Sequence, residues 1–268
     1  MGQFSSAAYC ANNHNSVGDK IKCSGGSCPL VEAANTTTLA EFANFPGTDV
    51  TGYVALDHTN KLTIISFRGS SSIENWMTNL DFRDTTTDLC PGCTAHNGFW
   101  QSWVDARPGV LTAIKKAIAT APKYSIVATG HSLGGAIATL AAAQLRNEKH
   151  TVALYTFGAP RVSGPALAAY ISAQPGGNFR VTNRNDPVPR LPPFFLGFTH
   201  ITPEYYIGRK TGETPVIADM RIFDGVNSMA GNSRWVVTDV DAHLWYFRSM
   251  SRCAIEKALG KVFGNSKE

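Results

Sequence analysis

Apolar residues follow two different spacings along this chain of 268 residues, and each spacing predicts one kind of secondary structure. Short runs rich in β-branched or aromatic residues predict strands at 50–56, 61–67, 124–129, 151–157, 178–182 and 205–207. Segments of helix-forming residues predict helices that begin near Phe4 and lie at 100–120, 136–146 and 166–174. Pro108 is expected to bend or interrupt the helix at 100–120. Because strands and helices alternate, we predict an α/β fold with a mostly parallel central sheet.

A very tight turn is predicted where the strand at 124–129 passes directly into the helix at 136–146. Its sequence is Gly130-His131-Ser132-Leu133-Gly134, a G-x-S-x-G pattern in which the serine hydroxyl stands above the sheet edge. The flanking glycines lack the side chains that would clash in such a turn. A helix-capping serine in an ordinary turn is the alternative. The clean strand and helix on either side favour Ser132 as a nucleophile, with His131 pointing elsewhere.

A nucleophilic serine needs a base and an acid that orients the base, and in such sheets they follow in the order serine, acid, histidine. Asp186 is the favoured acid because it directly follows the strand at 178–182 and precedes Pro187. The competing acids are Asp219, Asp239 and Asp241. The histidines after Ser132 are His150, His200 and His243. His150 lies on the wrong side of the sheet, while topology leaves both His200 and His243 open and favours His243.

Two further features surround this predicted site. The backbone N–H of Leu133 and the Arg68-Gly69-Ser70 segment are candidates for an oxyanion hole, because both follow strands of the sheet. A short amphipathic helix is predicted just after Ser70–Ser72, with one apolar stripe formed by Ile73, Trp76, Met77 and Leu80. A small core helix would show the same stripe, but this segment is short and is followed by polar residues.

Composition narrows the class of protein. Hydrophobic residues are 43% and charged residues 16% of the chain, which favours a large core and argues against disorder. The net charge is only +4 and the basic residues form no run, so we expect no nucleic-acid partner. No apolar segment is long enough to span a membrane. The first residues show no signal-peptide pattern, so a secreted form would already have lost its leader.

Six cysteines indicate an oxidising, extracellular setting, although the sequence alone does not choose their pairing. Cys90-Pro91-Gly92-Cys93 fits a turn closed by a local disulfide better than a redox or zinc motif. Cys23 and Cys28 flank another small loop, and Cys10 and Cys253 lie near the two ends. Asn35-Thr36-Thr37 is a glycosylation sequon, which is compatible with secretion but frequent by chance.

Taken together, these motifs resemble the filamentous-fungal, class 3 triacylglycerol lipases, and most of all those of thermophilic fungi. Feruloyl esterases are also members of this family. The matching stretches follow the family order over nearly the whole chain: 66–70, 72–76, 96–99, 130–136, 155–162, 185–193 and 242–246.

The resemblance implies an α/β-hydrolase fold with helices on both faces of the sheet and a single domain over 1–268. It implies Ser132, Asp186 and His243 as the catalytic triad, and it implies Ser70 and Leu133 as the oxyanion hole. It further implies a lid over about 71–84 that carries the apolar stripe, and the disulfides Cys10–Cys253, Cys23–Cys28 and Cys90–Cys93. One departure is a tail at 254–268 with a helical apolar stripe of its own.

The function expected from this resemblance is hydrolysis of triacylglycerol esters at oil–water interfaces by a secreted enzyme. We expect no cofactor and no metal, a lipid surface as the partner, no transmembrane anchor and a monomer. The main alternative is an esterase for soluble esters such as feruloyl esters, and the apolar lid with Trp76 argues against it. A lipid-binding protein without activity is the other alternative, which an intact triad disfavours.

Overall fold

The computed structural model describes residues 1–43, 47–226 and 228–254. Its helices are α1 Gly2–Ala7, α2 Pro29–Ala33, α3 Ile73–Thr78, α4 Asn97–Thr120, α5 Leu133–Asn147, α6 Pro165–Ala173 and α7 Val240–His243. Its strands are β1 Thr36–Phe42, β2 Gly52–Asp57, β3 Leu62–Phe67, β4 Asp84–Thr86, β5 Thr94–His96, β6 Ser125–His131, β7 Val152–Phe157, β8 Asn178–Asn183, β9 Glu204–Ile207 and β10 Met220–Phe223.

Eight of these strands form one sheet in the order β1-β2-β3-β6-β7-β8-β9-β10. The five central strands from β3 to β9 run parallel, and antiparallel neighbours extend the sheet at both edges. Strands β4 and β5 pair separately. The predicted α/β class with a mostly parallel sheet is therefore confirmed. Every parallel strand ends at the same sheet edge, which is where such folds gather reactive groups.

The two faces of the sheet are covered differently. Helices α4, α5 and α6 pack on one face, where Ile65, Ala128 and Leu154 point into the main core. Helix α1 and the C-terminal segment cover the other face, because alternate strand residues such as Ile64 and Val127 point that way. The predicted arrangement, with helices on both faces, is confirmed by this packing.

Several local expectations need correction. Helix α4 continues through Pro108 without interruption. Pro108 lies on the exposed side of the helix, where water can bond the carbonyl that proline leaves free, while Trp103 and Val110 anchor the buried side. Strand β1 was not predicted at all, because its Thr-rich sequence has only weak alternation. Short 3-10 turns, which the sequence did not predict, lie at 11–13 and 24–26.

No helix among the described residues is long and apolar enough to cross a membrane. The tail with its own apolar stripe was expected at 254–268. Only Ala254 of that stripe belongs to the described part of the chain, and Ile255, Ala258, Leu259, Val262 and Phe263 lie outside it.

Candidate active site

Ser132 occupies the sharp turn between β6 and α5. Its φ of 58° and ψ of −131° are strained for a residue with a side chain. The turn is nevertheless held firmly, since the Ser132 N–H donates to the Phe157 carbonyl at 2.9 Å. At Gly130 a Cβ atom would collide with the Gly134 carbonyl, so this position requires glycine. The turn geometry expected from the G-x-S-x-G pattern is present, with Ser132 on it.

Asp186 and His243 meet at the carboxyl end of the sheet. Asp186 follows β8, and His243 is the last residue of α7. The His243 Nδ1 atom lies 3.0 and 2.9 Å from the two Asp186 carboxylate oxygens, and neither side chain is exposed to solvent. A buried carboxylate at Nδ1 favours a proton on that nitrogen and leaves Nε2 as a base.

Two more donors hold the Asp186 carboxylate in place. The Val188 backbone N–H donates to Oδ1 at 2.8 Å, and the Tyr246 hydroxyl donates to Oδ2 at 2.6 Å. Burial, followed by the negative charge of Asp186, raises the pKa of Tyr246 well above its usual value, so the phenol keeps its proton. Three donors therefore fix the orientation of this carboxylate.

The Oγ atom of Ser132 and the Nε2 atom of His243 are both buried, and neither has a hydrogen-bond partner among the described residues. Buried polar atoms are rarely unpartnered unless they serve a chemical purpose. Hydrogen bonds of catalytic groups are often long in an unliganded enzyme and tighten only with substrate. These two atoms are therefore candidates for proton transfer, because they lie beside the Asp186–His243 contact and the strained turn.

As expected, the ring nitrogens of His131 bond neither Ser132 nor the side chain of His243. The ring supports His243 through the backbone instead. Its Nε2 atom lies 2.8 Å from the backbone carbonyl of His243, so Nε2 carries the proton and donates it. Its Nδ1 atom then accepts from the hydroxyl of Tyr9 at 2.7 Å. Burial first, and then the neighbouring His243, lower the pKa of His131 well below its usual value and keep the ring neutral. Tyr9, which lies just after α1, is thus connected through His131 to the backbone of His243, the candidate base.

The predicted oxyanion-hole residues lie beside the turn that carries Ser132. Leu133 is the first residue of α5, where backbone N–H groups have no partner within the helix. A Cβ atom at Gly69 would lie only 2.9 Å from the Ser132 Cβ, so the 69–70 segment runs directly against Ser132. Ser70 is partly exposed at this point. Both candidates are therefore adjacent to the candidate nucleophile.

The predicted lid is a single short helix, α3, with its apolar stripe toward the protein. Ile73, Trp76, Met77 and Leu80 are half-buried, whereas Glu74, Asn75 and Thr78 are exposed. Trp76 stacks on Phe99 with ring centroids 6.3 Å apart. Ser72 precedes the helix as expected, but its side chain makes no capping hydrogen bond. Because Ser132 is only 1% exposed, the site is closed to solvent in this state.

The competing residues lie elsewhere. His200 is buried with Nε2 2.6 Å from the Pro189 carbonyl, and His150 lies beyond the end of α5. Asp219 accepts from Arg209 at 3.3 Å, and Asp239 caps α7 by accepting from the Asp241 N–H. None of these residues takes part in the contact between Asp186 and His243.

Comparison with known proteins identifies the family. The model of the lipase class 3 family matches residues 64–196. The secreted mono- and diacylglycerol lipase A of Penicillium camembertii is 44% identical over 250 residues, which cover 91% of this chain and 82% of that protein. The chain belongs to the class 3 lipase family. It is an ester-hydrolysing lipase with an α/β-hydrolase fold and, like its secreted relatives, it is extracellular.

Two further likenesses extend this finding. A crystal structure of mono- and diacylglycerol lipase from Aspergillus oryzae superposes with a TM-score of 0.90 at 40% identity, covering 94% of this lipase and 96% of that chain. The lipase of Rhizomucor miehei is 35% identical over 204 residues, which cover 74% of this chain and 55% of that protein.

The extracellular setting agrees with the cysteines of this lipase. Disulfides join Cys10 to Cys253, Cys23 to Cys28 and Cys90 to Cys93, the same pairs that the family resemblance implies. The sequon residue Asn35 is exposed at the start of β1.

Sequence reasoning missed two tyrosines of this site. Tyr246 follows His243 by three residues, so its place just beyond α7 was a usable signal for a residue near the candidate base. Tyr9 lies 122 residues before His131. Its sequence neighbours carry no sign of that contact, so it could not have been found without the fold.

Proposed function

We propose that this lipase hydrolyses acylglycerol esters through a triad of Ser132, His243 and Asp186. The observation that carries the proposal is the buried contact between His243 Nδ1 and the Asp186 carboxylate, beside a strained turn that presents Ser132. A buried carboxylate at Nδ1 makes Nε2 the basic nitrogen, and a serine without a partner is free to give its proton to it.

In this mechanism His243 Nε2 removes the Ser132 Oγ proton as Oγ attacks the acyl carbonyl. The oxyanion that forms accepts hydrogen bonds from the N–H of Leu133 and from Ser70, and the N-terminus of α5 favours its negative charge. The protonated His243 then gives its proton to the departing glycerol oxygen, which leaves an acyl-enzyme on Ser132. Water attacks that ester with His243 again as base, and a fatty acid is released.

The proposed substrate is a lipid at a water interface. An α3 helix with its stripe half-buried over the protein would expose Trp76 and its neighbours on opening, which is favourable only against an apolar surface. Polar soluble esters such as feruloyl esters would gain nothing from such a lid. The proposal includes one domain over 1–268 with the lid at about 71–84, acting as a monomer.

The glyceride class is the finer part of the proposal. The sequence leads us to expect triacylglycerols, whereas the relatives in Penicillium and Fusarium solani bear the name mono- and diacylglycerol lipase. We therefore propose partial glycerides as substrates of this chain, with triacylglycerols as the comparison. Rates on emulsified mono-, di- and trioleoylglycerol and on methyl ferulate would rank the four substrates directly.

The test of the triad is the variant Ser132→Ala. We expect ester hydrolysis to fall by several orders of magnitude with an unchanged melting temperature, because the acyl-enzyme cannot form. The matched control is Ser125→Ala. Ser125 is an exposed serine at the start of β6, the strand that leads to Ser132. If purified Ser132→Ala kept more than about a tenth of the wild-type turnover, Ser132 would not be the nucleophile. Preference for methyl ferulate over every glyceride would overturn the substrate class.

A further inference from the structure

A cavity of about 100 Å³ lies beside the paired residues Arg180 of β8 and Glu204 of β9, and it contains none of the proposed triad. Arg161, Arg180, His200 and Glu204 line it, together with Ser233 at its edge. The first four side chains are each more than nine-tenths buried. A polar cavity of this kind is unusual in a protein interior and needs its charges accounted for.

The charges in the lining do not cancel. Arg161 and Arg180 are both positive, and Glu204 is the one acidic residue among the described residues that line the cavity. Burial first, and then Arg180, lower the pKa of Arg161 to about 10, which still leaves it charged at neutral pH. Burial, followed by Arg180 and Arg161, lowers the pKa of His200 well below its usual value, so this ring is neutral. One positive charge therefore remains uncompensated.

The hydrogen bonds show how the two arginines and Glu204 are paired. Glu204 Oε1 accepts from the Thr182 hydroxyl at 2.5 Å and from the Asn232 N–H at 3.0 Å. Its other oxygen is 3.5 Å from Arg180 NH2, too far for a strong hydrogen bond. Arg161 NH1 donates to the carbonyls of Arg190 and Pro192, but its buried Nε has no partner among the described residues. An unpartnered guanidinium N–H thus belongs to the lining of the cavity.

We propose that this cavity binds one small monovalent anion, of the size and charge of chloride, between Arg161 and Arg180. A cavity of this volume has room for a halide, since a water molecule occupies about 30 Å³. A single negative charge balances the lining, whereas a doubly charged phosphate would leave an excess of negative charge in the interior. Chloride is abundant in the extracellular setting of this protein.

The bound anion would stabilise the segment that carries Asp186. His200 contacts the Pro189 carbonyl at 2.6 Å, and Arg161 holds the carbonyls of Arg190 and Pro192. Asn232 connects the Glu204 carboxylate to the Asp186 backbone carbonyl, to which it donates at 2.9 Å. The anion is a structural ligand here, and it touches none of the reacting groups of the proposed triad.

The first test is the melting temperature of the full chain at constant ionic strength, as sodium chloride replaces sodium gluconate. Gluconate is too large for the cavity, so it serves as the neutral reference. We expect a saturable rise of a few degrees with chloride, because a ligand that binds only the folded state stabilises it by mass action. A parallel series with sodium acetate distinguishes a halide from a carboxylate. A melting temperature that does not change with chloride would overturn the proposal.

The second test uses a pair of variants at Ser233. Ser233→Asp places a carboxylate at the edge of the cavity, and Ser233→Asn is its uncharged match. We expect Ser233→Asp to lose the chloride response and Ser233→Asn to keep it. Equal chloride responses in the two variants would contradict an anion at this position.

A direct observation covers the case in which Ser233→Asp fails to fold. Crystals of the wild-type protein soaked in bromide should show anomalous density against Arg161 and Arg180. Density only at the surface would mean an adventitious ion only, and the proposal would fall. All of these measurements can be repeated in Ser132→Ala, so failure of the anion site is distinguishable from failure of the proposed triad.

Discussion

At the scale of single residues, Tyr246 makes the contact that is simplest to test. Its hydroxyl donates to the Asp186 carboxylate at 2.6 Å and is removed without loss of the ring in Tyr246→Phe. A hydrogen bond to a charged group contributes about 1.5–3 kcal/mol to stability. Without this bond Asp186 is held less firmly, so His243 loses part of its orientation. We expect kcat on a dissolved ester to fall by about tenfold, with KM nearly unchanged, since the phenol does not touch the substrate.

The control for Tyr246→Phe is Tyr124→Phe, whose hydroxyl contacts His58 at 2.9 Å at the surface. This variant should keep the wild-type kcat. A Tyr246→Phe enzyme with unchanged kcat and an unchanged pH profile would show that Asp186 needs no support from the phenol.

The buried histidines predict how stability depends on pH. Burial is the largest cause that lowers the pKa values of His131 and His200 well below 6.5. Below pH 6.5 the unfolded chain therefore takes up protons that the folded chain refuses, so the free energy of unfolding falls as the pH falls. The contribution of these histidines to stability is fully present above pH 6.5. Below that pH the free energy of unfolding declines by up to about 1.4 kcal/mol per pH unit for each histidine.

Urea unfolding at pH 7.5, 6.5 and 5.5 measures this decline. The His131→Asn variant should show a shallower decline below pH 6.5 than the wild type, and His58→Gln, at an exposed position, should leave it unchanged. A free energy of unfolding that stays constant from pH 6.5 to 5.5 would contradict the prediction.

At the scale of secondary-structure elements, helix α3 is the element that we expect to govern the response of this lipase to an interface. The four stripe residues, three in α3 and Leu80 just beyond it, are half-buried. Complete burial of one large apolar side chain contributes about 2 kcal/mol. Even half of that, summed over the stripe, is enough to invert a closed–open equilibrium when a lipid surface replaces water. The flanking 70–72 and 83–84 segments are the expected hinges. Opening would also move Ser70 relative to Ser132.

We expect the rate on a short-chain triglyceride to rise sharply where the substrate passes its solubility limit. Trp76→Ala should weaken this rise more than it weakens hydrolysis of the dissolved ester, because Trp76 provides the largest apolar contact of the lid. Trp100→Ala, which removes a tryptophan from α4, is the matched control and should keep the rise. A smooth rate curve for both the wild type and Trp76→Ala would favour an esterase for soluble substrates.

At the scale of the whole molecule, one disulfide closes nearly the entire chain. Cys10 and Cys253 are 243 residues apart, whereas Cys90 and Cys93 are separated by only 3. The chain-entropy model gives the long loop a contribution of up to about 5 kcal/mol to the free energy of unfolding. The same bridge fixes the segment after His243 against α1, where the Ser6 hydroxyl donates to the Met250 carbonyl at 2.9 Å.

The double variant Cys10→Ser with Cys253→Ser should therefore melt at a much lower temperature than the wild type. Cys90→Ser with Cys93→Ser is the matched control, and its melting temperature should change far less. Peptide mapping without reduction would verify the pairing in each protein. Equal losses of melting temperature in the two double variants would mean that loop length does not govern the contribution of these disulfides.

The sequence by itself determined what neighbouring residues encode. Alternating strand and helix patterns predicted the α/β class, because burial of apolar side chains repeats with the period of each element. The G-x-S-x-G pattern predicted the tight turn that carries Ser132, the proposed nucleophile, since only glycine fits beside so tight a bend. The stripe at 73–80 predicted α3 and its apolar face. Strand β1 was not predicted, because its own sequence pattern is weak and its pairing with β2 makes it a strand.

Only the tertiary structure decided which distant residues meet. Topology from the sequence left His200 and His243 both open, and family resemblance rather than the residues themselves chose between them. The fold brings His243 to Asp186 and turns His200 to Pro189. Tyr9 and the cavity of Arg161 and Arg180 had no local signal, because their contacts join segments far apart in the chain. Such contacts depend on how elements pack, and the packing is fixed by the whole core at once.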